Sequence, residues 1–178
     1  MTLSPLDITV NESWNNDFTS VNLAISECIG GTKRCREVKS EQAQGFVDGM
    51  FKACFDQYAE TTPSLHNIRL TDYRVKPNFN KARSIIGSDA KTEVTIIVDI
   101  DKLGKSEFSC TSRSVLHSSF SAILQAFEFY INCEKTFDKL QFALKDAQNR
   151  NRGDIAQICT NDLCTLTGVN TYEKGKKS

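Results

Sequence analysis

Hydrophobic and polar residues alternate along two stretches of the chain and recur at helical spacing along two others, in the same order each time. Leu6, Ile8 and Val10 alternate and predict a short first strand. Over 18–28, Val21, Leu23 and Ile25 point one way and Asn22, Ala24 and Ser26 the other, which is the period of a strand with one buried face. Gly30-Gly31 is a turn signal, and 32–39 returns as a more polar partner strand. Over 45–59, Phe46, Val47, Met50, Phe51, Cys54, Phe55 and Tyr58 form one apolar stripe, so a helix is predicted, with Pro63 just past its end. Next, 68–76 reads as a strand with Ile68, Leu70 and Tyr73 among its apolar residues, and 77–87 as a polar loop. The β-branched run 91–101 is the strongest strand signal, followed by a turn at Leu103-Gly104-Lys105 and a return over 107–111. A second helix starts near Ser114 with Val115, Leu116, Phe120, Ile123, Leu124, Phe127 and Ile131 at helical spacing. It either runs on or restarts through Phe137, Leu140 and Leu144. Beyond Asn149 the chain is polar and is expected to be a loosely held tail.

Both halves thus follow one plan. Val21 aligns with Val94, the Gly30-Gly31 turn with Gly104, and 45–54 with 114–123, where Phe46 meets Val115, Val47 meets Leu116, Phe51 meets Phe120 and Ala53 meets Ala122. Any two strand–strand–helix units share apolar periodicity, so coincidence competes with duplication. The expected fold is α+β: two pseudo-twofold-related strand–strand–(strand)–helix units, with antiparallel sheets and helices packed on one face. The halves are 1–62 and 63–132, and 133–178 is a helical extension with a flexible tail. The units are expected to meet sheet to sheet, helices outside. A ligand site would then fall where the helix starts approach, because free N–H groups there suit a carboxylate.

Length and composition limit what else the chain can be. At 178 residues, with 39% apolar and 25% charged residues, it suits one domain with a proper core. Lys plus Arg equals Asp plus Glu, at 22 each, so no strong field would gather nucleic acid or anionic lipid, and neither is expected as a partner. No apolar run suits a membrane helix, and the first residues lack a basic-then-apolar leader, so a cytoplasmic protein is expected. Seven cysteines without a C-x-x-C pair, and only two histidines, give no zinc-ligand spacing, so neither metal nor cofactor is expected. His66 and His117 lack a nucleophile or carboxylate at a telling spacing for acid–base catalysis. Asp99, Asp101 and Glu107 read as a solvated edge more readily than as a cation site. Asp48 and Asp89, each beside a glycine, are either ligand-binding residues or helix and turn caps.

At the helix starts the sequence resembles the C-terminal regulatory domain of the α-isopropylmalate synthase and citramalate synthase family. Gly45-Phe46-Val47-Asp48-Gly49 resembles the family's Gly-Pro-Val-Asp-Ala segment, and Leu70-Thr71-Asp72-Tyr73-Arg74-Val75 its Leu-x-Asp-Tyr-x-Val strand. Gly87-Ser88-Asp89-Ala90-Lys91-Thr92-Glu93-Val94 is similar to its Gly-Thr-Asp-Ala-x-x-Glu-Val segment. Residues 115–122 resemble its Ile-Ile-x-Ala-Ser-x-x-Ala run. Pro63-Ser64-Leu65 is nearer the citramalate branch. The chain departs from the pattern at Phe46 (family Pro), Gln44 (often Gly), Gly49 (family Ala) and in lacking a Gly-rich segment before the second helix. A bulky Phe46 could fill the ligand pocket, and 133–178 match nothing in the family.

The resemblance implies an amino-acid-sensing regulatory and dimerisation domain that feedback-binds leucine or isoleucine. Its effector residues would be Gly45, Phe46, Val47, Asp48, Gly87, Ser88, Asp89, Ala90, Ser114 and Val115, with Val47, Ala90 and Val115 as the aliphatic lining. It also implies a homodimer, attached to or partnered by a catalytic synthase domain. The barrel and metal site of those acetyl-CoA-dependent acyltransferases have no counterpart here, so this chain alone is not expected to be an enzyme. The competing expectation is a structural or protein-interaction module that keeps the fold without the sensor.

Overall fold

The computed structural model describes residues 1–15, 17–78, 91–100 and 104–167. Strands β1 (Thr2–Ser13), β2 (Phe18–Ile29) and β3 (Thr32–Ala43) form one antiparallel sheet in the order β1-β2-β3, and helix α1 (Phe46–Tyr58) follows. A short 3₁₀ turn (Pro63–Asn67) leads into β4 (Ile68–Asn78), β5 (Lys91–Ile100) and β6 (Gly104–Ser112), a second antiparallel sheet in the order β4-β5-β6. Helices α2 (Val115–Asn149) and α3 (Gly153–Thr167) complete the described chain. The fold is α+β, with two strand–strand–strand–helix units in succession.

The two sheets repeat each other in register. The β1–β2 ladder slips between Pro5 and Asp7, opposite Ile25 and Ala24, and the β4–β5 ladder slips between Leu70 and Asp72, opposite Val98 and Ile97. Superposing these bulges places Ile25 on Val98, Leu23 on Ile96 and Val21 on Val94, the pairing read from the sequence. The bulge also corrects the first strand. Leu6 is the extra residue, so it is 57% exposed and does not share a face with Ile8 and Val10. Leu3 is buried, and Pro5, Ile8 and Val10 are half-buried. The hairpins differ in length: the first pairs on past Glu27 and Arg34 to Ile29 and Thr32, and the second closes from Ile100 to Gly104. Gly104 therefore corresponds to Arg34, not to the Gly30-Gly31 turn.

Layer order departs from the sequence expectation of sheet against sheet. Each sheet buries a single face, through Val21, Leu23 and Ile25 in β2 and Val94, Ile96 and Val98 in β5. The helices lie on these faces. Gly49 of α1 rests on Val21, and Ser118 of α2 donates its hydroxyl to the Thr92 carbonyl of β5 at 3.2 Å. The helices touch each other through Phe127, whose ring lies 5.1 Å from that of Phe51 and 6.3 Å from that of Tyr58. Past its first turn α2 is buried all round, from Ser118 to Leu124. A helix apolar on several sides needs cover on several sides.

Compactness divides the chain into 1–131 and 132–178. In the latter, α2 ends at a left-handed Asn151 (φ 54°), with Arg152 N–H bonded to Ala147 O at 2.9 Å, and α3 follows directly. The expected loose tail therefore begins with an ordered helix. Cys159 is the buried residue of α3, and Ala147 that of the last turns of α2.

Gly49 marks the tightest approach in the first unit. A Cβ there would stand 2.6 Å from Val21 Cγ2 and 3.1 Å from Ala43 Cβ, and Val21 is fully buried. The family resemblance places alanine at this position, and the packing explains the glycine. Gly49→Ala gains about 1 kcal/mol in helix propensity but overpacks the core at a cost of about 1–3 kcal/mol. Urea unfolding is expected to show a net loss, and the Val21→Ala change is expected to cost less in the Gly49→Ala background than alone.

Candidate functional site

Four of the ten expected effector residues come together at one helix start. Gly45, Phe46, Val47 and Asp48 line a cleft of about 670 Å³ between α1 and β4, whose further walls are Gln44, Phe51, Ile68, Arg69, Leu70 and Tyr73. Gly45 holds φ at 146°, a conformation that side-chain-bearing residues rarely adopt. It precedes α1 with no side chain to cap it. The first helical bond is Gly49 N–H to Gly45 O at 2.9 Å, so the N–H groups of Phe46, Val47 and Asp48 end the helix without intrahelical acceptors. Asp48 turns back instead and accepts the Gln44 N–H through Oδ2 at 3.2 Å. Of the two readings open for Asp48, this contact is the turn-stabilising one.

The β4 wall is fixed from behind. Tyr73 packs edge-on against Phe46 (6.2 Å between centroids, 85°), and its hydroxyl shares a 2.8 Å hydrogen bond with Ser119 of α2. Asp72 accepts the Tyr73 N–H at 2.9 Å and pairs with Arg74 at 2.7 Å. Phe46 therefore forms a wall of the cleft and leaves the space beside it open.

The other helix start is built differently. Ser114 Oγ accepts the His117 N–H at 3.3 Å, Ser112 Oγ accepts the Ser114 N–H at 3.1 Å, and the Ser112 and Ser118 hydroxyls are 2.8 Å apart. Side chains thus cap α2 where α1 is bare. Ser114 and Val115 are not among the described residues that line this cleft. Gly87, Ser88, Asp89 and Ala90 lie outside the described residues. In place of Val115, the apolar lining comes from Phe51, Ile68, Leu70 and Tyr73. The spacing of Ile68, Leu70 and Tyr73 held the signal: two residues and then three share a face only when a bulge intervenes.

Away from the cleft, His66 packs edge-on against Phe55, with ring centroids 5.2 Å apart. Among the described residues no group of three or more His, Cys, Asp or Glu could hold a metal ion. Among them, too, no helix is long and apolar enough to cross a membrane. The site defines an apolar cleft closed at one end by an uncapped helix start. No family model matches the chain, and no curated protein matches it.

Proposed function

We propose that residues 1–131 form an effector-binding regulatory and dimerisation module that takes a branched-chain amino acid, leucine or isoleucine, in the cleft between α1 and β4. One observation carries the reading: three backbone N–H groups without helical acceptors, at Phe46, Val47 and Asp48, open beside an apolar wall of Phe51, Ile68, Leu70 and Tyr73. A carboxylate suits the N–H groups and the positive end of α1. An aliphatic side chain suits the wall, and burying one of leucine size contributes about 1.5–3 kcal/mol. That is enough to supply a typical allosteric coupling of about 1–3 kcal/mol. The tandem units and the segments resembling the synthase regulatory domain support the same reading. Under it the module works in the cytoplasm as a homodimer, biases an attached or partner synthase, and carries out no chemistry of its own.

Calorimetry with leucine, isoleucine and valine tests this. Saturable heat and a raised melting temperature are expected with at least one of them. Val47→Asp is the sharpest variant, because an acid in the first turn favours the helix by about 0.3–1 kcal/mol and repels an incoming carboxylate. It is expected to fold and to lose binding at least about tenfold. The rival reading, a non-sensing interaction module of the same fold, is favoured by the Asp48 carboxylate already lying at the helix start. A monodisperse dimer giving no heat with any of the three amino acids selects the rival.

A further inference from the structure

A second cleft, of about 820 Å³, lies at the tip of the β1–β2 hairpin and shares Gln44 and Gly45 with the first. Its chemistry is different. Glu12, Trp14, Asp17 and Phe18 line it, and among the described residues no Lys or Arg does. Trp14 is 86% exposed and Phe18 49%, and among the described residues neither ring packs against another ring. Neither the Glu12 nor the Asp17 carboxylate has an ion-pair or hydrogen-bond partner among the described residues. Asp17 sits at φ 52°, a conformation that directs the tip of the hairpin and that Asn and Asp tolerate best among side-chain-bearing residues. Two rings without a ring partner and two carboxylates without an ion pair, among the described residues, thus line one concavity.

We infer that the Glu12–Trp14–Asp17–Phe18 cleft binds an organic cation of the alkylammonium class, a quaternary or methylated ammonium. The rings offer negative faces to a cation, and a bulky ammonium gives up little hydration on reaching them. The carboxylates add attraction and would repel a phosphate or an anionic lipid headgroup. A small inorganic cation holds its hydration shell too tightly to gain as much from the rings.

Trp14 is the single tryptophan of the chain, so its fluorescence reports on this cleft alone. The intact chain is titrated with choline chloride, with its uncharged isostere 3,3-dimethyl-1-butanol, and with sodium chloride at matched ionic strength. Choline is expected to change the emission saturably, and the other two are not. The double variant Glu12→Gln, Asp17→Asn keeps both rings and a residue suited to the φ at 17, and it is expected to weaken choline about tenfold, as two lost partly screened charges imply. A response to choline no different from that to sodium chloride overturns the inference. So does equal binding of the neutral isostere, or unchanged affinity in the double variant.

Discussion

Replacing Phe127 by alanine is expected to cost about 3–5 kcal/mol of folding stability, the range for emptying a large aromatic site in a packed core. Phe127 is fully buried, and its ring joins the two helices through Phe51 and Tyr58. With a urea dependence of about 1–3 kcal/mol per molar, the unfolding midpoint should fall by roughly 2 M. Phe142 supplies the control within the same helix. It is 76% exposed, so Phe142→Ala should change stability by no more than about 0.5 kcal/mol. Equal effects at the two positions would contradict the helix contact described here.

The second large effect lies in a buried carboxylate. Glu27 is 2% exposed, and its Oε1 accepts both Arg36 Nε at 2.7 Å and the Tyr58 hydroxyl at 2.8 Å, tying β2 to β3 and to the end of α1. Arg36→Met leaves that charge with one partner. Breaking a buried pair costs about 3–5 kcal/mol, and the 41% exposure of the Arg36 side chain reduces this to about 2 kcal/mol through solvent screening. Tyr58→Phe removes a hydrogen bond to a charged group, worth about 1.5–3 kcal/mol. The same contacts set an alkaline limit. Burial, and then the bond to Glu27, push the Tyr58 hydroxyl above its ordinary 10.0, and burial also pushes up the Cys54 thiol. Groups held protonated in the folded state and released in the unfolded one contribute stability that is intact below their ordinary values. That stability drains away as pH climbs past about 9 for the thiol and 10 for the phenol. Chemical denaturation across pH 8–11 should show this decline, and Tyr58→Phe should make it shallower above pH 10.

Much of the architecture was legible because apolar spacing decides it. The alternation at Val21, Leu23 and Ile25 and the β-branched run over 91–101 marked both central strands, Val21 aligned with Val94 marked their correspondence, and the stripe from Phe46 to Tyr58 marked α1. Periodicity carries no signal for an inserted residue, so the bulge at Leu6 reversed the expected face of that side chain. It is equally silent on which face of a sheet meets which layer, and the sheets carry helices on their buried faces where direct stacking had been expected. Residues 153–167 form a helix on Ile155, Ile158, Cys159 and Leu163, whose helical spacing is masked by the polar residues on either side. At the site, the glycine and acid at 45–48 were readable from their pattern, whereas the β4 wall and the serine cap of α2 are products of tertiary contact. Serines at 112, 114 and 118 look unremarkable in sequence and become a cap only once β6 delivers Ser112 beside the helix start.

The central claim is that the bare start of α1, and not the capped start of α2, receives an amino-acid carboxylate. Amide NMR of the ¹⁵N-labelled chain titrated with leucine addresses it directly. The N–H signals of Phe46, Val47 and Asp48 are expected to shift most, with Leu70 and Tyr73 following and Ser114 and Val115 staying in place. Silence at millimolar leucine, or largest shifts at Ser114 and Val115, would contradict it.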